Sequence, residues 1–309
     1  MGNHNLKIRT ALALAFLLIV LFGCGQKNTV LPPEFDGERA FGYLEKQVSF
    51  GPRVPGTKES AECREYIISF FDSLGARTDT LSFIHNDKTT GKQIEMVNVL
   101  ASFEGTEKNP GRYLFAAHYD TRPRAEHDPD PAKREEWIAG ANDGASGVAV
   151  LMELANLVSQ KPPSVDIDFV ILDGEDFGRP GDLSEYFLGA KDLILRDIKG
   201  KYEWAIIVDM IGDRELQIYR EQFSQKYFPK LNDKIWAIAE ELGKTSFVDS
   251  VKHQVYDDHL SFMTIKLPSI VIIDFDYPYW HTTHDTPDKC SPESLEAVGD
   301  VLTVLMYRL

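Results

Sequence analysis

His118 and Asp120 in AAHYDT, Asp143 in GANDGASG, Glu175 and Asp176 in ILDGEDFG, and His281 in WHTTHDT are residue types that hold divalent metals and move protons. Each lies at or just beyond the end of a short apolar run, where an open α/β sheet presents its site-forming loops. The pattern implies metal chemistry. His118 and Asp120, two apart at a strand end, leave on one side while Tyr119 points away. A carboxylate at that spacing holds an imidazole tautomer or supports it as a ligand. Asp143 sits just before a helix starting near Ser146. Its carboxylate could bridge two metals, bind one, or simply cap that helix. Glu175 and Asp176 are adjacent carboxylates after FVILD, and a cation relieves their repulsion. Asp176 is assigned as metal ligand, and Glu175, raised in pKa by burial and acidic neighbours, as general acid/base. Asp209 ends WAIIVDM, and Asp257, Asp258 and His259 open YDDHLSF; these carboxylates suit support of a ligand or a second metal. His281 follows Trp280, an aromatic wall, with His284 and Asp285 close behind; one of the two histidines could be structural.

Positioning such residues requires strands alternating with helices. Strands are expected over Met96 to Phe103, Tyr113 to His118, Ile167 to Leu172, Trp204 to Asp209 and Ile270 to Asp274, all rich in β-branched or aromatic residues. Helices fit Ala40 to Val48, Ser60 to Leu74, stopped by Gly75, Gly147 to Val158, Leu231 to Leu242, and Pro292 to Tyr307, opened by Ser291 as N-cap. The fold class is therefore α/β: a single-domain, three-layer α/β/α sandwich with a central mixed, mostly parallel sheet. An antiparallel edge pair is expected between Met96 and His118, where the connection is too short for a crossover helix.

Residues 1–23 read as a lipoprotein signal: Lys7 and Arg9 precede the apolar run Ala11 to Phe22, and Gly23 precedes Cys24. Cleavage would leave a lipidated Cys24, a tether through residue 35, and a catalytic domain over residues 36–309. The expected location is that of an exported bacterial lipoprotein facing the periplasm or cell exterior. Removing 23 of 309 residues leaves 286, enough for one domain with a sizeable core. Losing Lys7 and Arg9 leaves 31 basic against 48 acidic residues, a charge near −17 that argues against nucleic acid as a partner. Beyond Cys24 only Cys63 and Cys290 remain, so a disulfide framework and a cysteine metal cluster are excluded, and their pairing is open. No Gly-rich phosphate loop follows a strand, so no nucleotide cofactor is expected. A monomer is expected.

FGPRVPGT, NVLASFEG, AAHYDT, GANDGASGVAVLMELA, LDGED, VDMIG and HTTHDT, in that order, resemble the zinc-dependent aminopeptidase and glutaminyl cyclase superfamily over roughly Phe41 to Leu309. In the peptidase branch the resemblance implies two zincs, one on His118, Asp143 and Asp209 and one on Asp143, Asp176 and His281. Glu175 would then deprotonate the attacking water. In the cyclase branch it implies one zinc on Asp143, Asp176 and His281, polarising the γ-amide of an N-terminal glutamine while Glu175 moves the proton from amine to leaving group. Asp209 and Asp257 would form an acidic cluster beside Glu175, and Trp280 would wall the substrate pocket. TRPRAEHDPD and the run from YDDHLSF to PYWHT are more like the cyclase branch, in particular bacterial glutaminyl-peptide cyclotransferases. Asp176 stands where that branch more usually carries glutamate, Val271 where animal cyclases carry histidine, and Tyr186 and Phe187 where a tryptophan is expected. The substrates implied are peptide or protein N-termini.

Overall fold

The computed structural model describes residues 31–309. The expected signal, Cys24 and most of the tether lie outside the described residues. Among the described residues eight strands form, named in chain order: β1 (Arg77–Asn86), β2 (Gln93–Phe103), β3 (Arg112–His118), β4 (Asp166–Leu172), β5 (Ala205–Asp209), β6 (Ile218–Arg220), β7 (Phe247–Val251) and β8 (Ser269–Ile273). The helices are α1 (Gly37–Val48), α2 (Lys58–Ser73), α3 (Ala145–Gln160), α4 (Leu188–Leu195), α5 (Gln222–Tyr227), α6 (Pro229–Glu241), α7 (Asp258–Thr264) and α8 (Pro292–Tyr307).

Six strands make one sheet in the order β1-β2-β4-β3-β5-β8, and β6 pairs with β7 in a small second sheet. The pairs β4/β3, β3/β5 and β5/β8 are parallel. β2 is antiparallel to both β1 and β4. The expected antiparallel neighbours β2 and β3 are therefore not paired. β4 is inserted between them, and the antiparallel edge is β1 against β2, because the β2–β3 connection vaults one strand position.

Period-two alternation sends residues to opposite faces, and these strands are buried on both. Phe115 and Ala117, Phe169 and Ile171, Ile206 and Val208, and Ile270 and Ile272 pack in the core beneath α1, α2, α3, α6 and α8. Their alternates Leu114 and Ala116, Val170 and Leu172, Ala205 and Ile207, and Val271 and Ile273 pack in a second core with α4 and α7. The result is a three-layer α/β/α sandwich. Val271 belongs to that second core and is 1% exposed, so its position serves packing here.

Helix ends follow local chemistry. Ser291 caps α8 by accepting from the Ser294 N–H at 3.2 Å, as its sequence position predicts. Gly75, at φ +77°, takes the left-handed turn that stops α2. Cys63 and Cys290 are both buried free thiols.

Candidate metal centre

The parallel strands β3, β4, β5 and β8 share a direction, so their carboxyl ends share an edge. His118 ends β3, Asp209 ends β5, Glu175 and Asp176 follow β4, and His281 follows β8. Asp143 lies in the loop that leads into α3. Its helix-capping alternative is excluded: the N-cap is Gly144, without a side-chain cap bond.

Asp143 instead splits its carboxylate between two clusters. Its Oδ1 lies 3.2 Å from His118 Nε2, which is also 3.1 Å from Asp209 Oδ1. Its Oδ2 lies 3.5 Å from His281 Nε2, which is 3.1 Å from Asp176 Oδ2. Ligand atoms of His118, Asp143 and Asp209 fall within 4.8 Å of one another, as do those of Asp143, Asp176 and His281. All five residues are buried.

Supporting groups fix these positions. Asp120 is not in either cluster: it lies 3.4 Å from His118 Nδ1 and accepts from the Glu175 and Asp176 N–H groups at 3.1 and 3.2 Å. Asp285, fully buried, accepts from the Asn142 and Asp143 N–H groups and from the Tyr277 hydroxyl. His284 is exposed and joins neither ligand group, so His281 is the ligand candidate of the histidine pair. Gly144 is required by proximity, since a Cβ there would run into the His118 imidazole. Met210, Phe187 and His281 hold φ values of +47°, +58° and +55°, conformations that non-glycine residues adopt at a cost of about 1–3 kcal/mol each. Their concentration around one edge marks where function overrides backbone preference.

The electrostatics favour a cation. Burial, then the Asp176 charge, raises Asp143. Burial and the charges of Asp176, Asp258 and Asp257 push Glu175 well above the usual glutamate range. Burial, with Asp209 and Asp258, does the same to Asp257, and Asp258 is pushed up to about 8 by burial, Asp120 and Asp209. Against its burial, His118 is driven well above its ordinary value by Asp209, Asp120 and Asp143.

Arg122 was not singled out by sequence. In a polar insertion it resembles a solvated side chain, yet it is 1% exposed. Its Nη1 donates to Asp176 Oδ1 at 2.6 Å and to the Asp176 carbonyl at 3.0 Å, Nε donates to Glu126, and Nη2 donates to the Tyr186 hydroxyl. Against the cost of burial, His281 and Arg122 hold Asp176 below the usual carboxylate range. With Oδ1 engaged, Asp176 Oδ2 is left buried without a properly oriented hydrogen bond. That oxygen, Asp143 Oδ2 and His281 Nε2 form a carboxylate and imidazole set suited to zinc, which takes three such ligands and an open fourth position. The same insertion clamps the histidine loop: Asp128 accepts from the Thr283 N–H and hydroxyl, and the His127 N–H donates to the His281 carbonyl at 3.1 Å.

A cavity of about 290 Å³ opens over the cluster, lined by Glu175, Asp209, Asp257 and Trp280 among others. The Trp280 ring lies 4.0 Å from that of His281 and 5.0 Å from Phe275. Tyr186 and Phe187 also line the cavity, in place of the expected tryptophan.

Residues 98–306, which carry the whole ligand set, match Peptidase family M28. The chain belongs to peptidase family M28. Among solved structures, this M28 chain is similar to a Bacteroides thetaiotaomicron glutaminyl cyclase bound to N-acetylhistamine, with 33% identity, TM-score 0.85, 90% of this chain and 99% of that one covered. It is equally similar to a leucine aminopeptidase precursor from Bacteroides thetaiotaomicron VPI-5482, with 33% identity, TM-score 0.86, and 91% and 99% covered. Aminopeptidase YwaD of Bacillus subtilis is 26% identical over 215 residues, 65% of this chain and 41% of that protein. The chain spans less than half the length of several curated relatives, YwaD included. Its neighbours among solved structures thus include both glutaminyl cyclases and a zinc-dependent exopeptidase, the latter from Parabacteroides distasonis.

Proposed function

We propose that the protein is a glutaminyl-peptide cyclotransferase, converting the N-terminal glutamine of peptides or proteins to pyroglutamate with release of ammonia. The observation that carries this reading is the acidic group beside Glu175. Asp209 and Asp257 line the same cavity, and burial with the charges of Asp209 and Asp258 favours the protonated form of Asp257. Cyclisation must take a proton from one nitrogen and deliver it to another without water, and protonatable buried carboxylates suit that task.

Asp143, Asp176 and His281 would hold the zinc. When bound, zinc supplies the positive charge that polarises the γ-amide carbonyl. Glu175 accepts the proton from the α-amine as nitrogen bonds to the γ-carbon, then delivers it to the departing amide nitrogen, which leaves as ammonia. Asp209 and Asp257 hold the amine by accepting its hydrogen bonds. Trp280 and Phe275 wall the glutamine side chain and exclude water, which prevents hydrolysis of the same amide.

A second reading, a two-zinc aminopeptidase, is favoured by the cluster of His118, Asp143 and Asp209. Incubation with Gln-initiated and Leu-initiated peptides separates the two by mass. We expect loss of ammonia from the former with no shortening of either; release of free leucine would transfer the assignment to the peptidase.

We also propose that the enzyme acts outside the cytoplasm, anchored by lipid on Cys24. Cys24→Ser is expected to move the protein from the membrane to the soluble fraction, measured by fractionation; unchanged membrane association would remove the anchor.

A further inference from the structure

The two loops that hold the metal-ligand cavity have a second side. Arg122, Asp176 and Pro180 face that cavity, whereas Arg124, Phe177 and Arg179, their near neighbours in sequence, line a separate cavity of about 560 Å³. It opens against residues 54–57 and the β1–β2 turn, and its size is that of a small-molecule site.

In a chain of net charge −15, this cavity is cationic. Arg64, Lys92, Arg124 and Arg179 face only Asp87 and Glu95. The Asp87 carboxylate already accepts from the Thr89 N–H and the Thr90 hydroxyl. Among the described residues, no carboxylate lies within ion-pair distance of Lys92, Arg124 or Arg179, and Arg64 reaches only Glu65, at 3.9 Å. Arg124 is 7% exposed; one terminal nitrogen donates to the Gly178 carbonyl, and its buried Nε has no partner. Buried donors are normally satisfied, and a guanidinium that lines the cavity with a single hydrogen bond and no counter-ion is one that an anionic acceptor in the cavity would stabilise. Apolar surface stands beside these charges: Trp137 is 49% exposed, and Phe177 is held edge-on to His85 at 5.5 Å.

We propose that this cavity is a second ligand site, for a small organic oxyanion, a carboxylate or phosphate monoester, on an apolar or aromatic body. Guanidinium groups of Arg124 and Arg179 receive the head group through charge-assisted hydrogen bonds, and Trp137 and Phe177 cover the body.

The test is direct binding to the full chain, so its outcome does not depend on whether the enzyme cyclises or hydrolyses. Phenylacetate and phenyl phosphate are titrated by calorimetry, with benzyl alcohol as the neutral control; the two anions separate carboxylate from phosphate preference. We expect saturable, single-site binding of at least one anion, none of benzyl alcohol, and at least about tenfold weaker binding in Arg179→Ala, an exposed position whose loss leaves the core intact. Arg124→Gln is expected to weaken binding as strongly. Should Arg124→Gln misfold, Arg179→Ala decides. Absence of saturable binding, unchanged affinity in Arg179→Ala, or displacement of the anion by glutaminamide, which would place it in the metal-ligand cavity, overturns the proposal.

Discussion

Glu175→Gln is expected to keep the fold and bound zinc while losing turnover by roughly 10² to 10⁴, or about 3 to 5 kcal/mol of transition-state stabilisation. Glu175 lines the cavity but belongs to neither group of converging ligand atoms, so its replacement leaves both intact. Its main-chain N–H, which positions the segment on Asp120, is unaffected by the change. Glutamine keeps the shape of the carboxyl and removes a charge whose burial beside three aspartates is costly. The sign for stability follows. An acid raised in the folded state costs nothing while both states are protonated, and its penalty grows as pH rises from the unfolded value through the folded one. At neutral pH the variant should therefore melt no lower than the wild type. Retained turnover would remove Glu175 from proton transfer, and a lower melting temperature would make its role structural.

The parts of this site legible in sequence are those that sit on regular elements. His118, Asp209 and the Glu175–Asp176 pair end or follow apolar strands, and β3, β4, β5 and β8 were readable because burial on both faces leaves near-continuous apolar runs. α8 matches its expected bounds because Ser291, Pro292 and an apolar stripe agree. Strand β1 was missed, since an edge strand whose residues alternate between exposed and half-buried carries only a weak apolar signal. Helices α4, α5 and α7 have eight, six and seven residues, too few turns to display a period. The pairing of β2 with β4 was hidden for a different reason: strand order depends on which faces fit, and the short β2–β3 link indicates direction without indicating adjacency.

The supporting residues were illegible because their meaning lies in burial. Arg53 donates to three carbonyls, those of Tyr119, Ala139 and Gly140, and so ties the FGPRVPGT loop to both ligand-bearing segments. Asp285 looked like a companion of His284 and instead positions Asp143 through its main-chain N–H. Neither spacing nor composition distinguishes such groups from solvated ones. Only the fold, by removing water, turns each into an obligatory partner.

Arg122→Met tests that logic with a large expected effect. The methionine fills part of the volume but removes every donor to Asp176 Oδ1, to the Asp176 carbonyl, to Glu126 and to Tyr186. Two buried or half-buried carboxylates then lose the guanidinium they share, leaving Asp176 only His281, and breaking a buried pair on one side costs about 3–5 kcal/mol. In the wild type, Asp176 is held below the ordinary aspartate range, so its stabilisation is present above that range and lost only as pH falls through the depressed value. The deficit of the variant should thus be fully visible at neutral pH and shrink in acid. Zinc affinity should fall by roughly 10- to 100-fold, since Asp176 is no longer fixed to present Oδ2 alongside Asp143 and His281. Thermal melts across pH and zinc retention against a chelator measure the two effects separately. Lost stability with unchanged zinc affinity would make Arg122 a packing group, whereas loss of both places the ordering of the metal ligands on this one guanidinium.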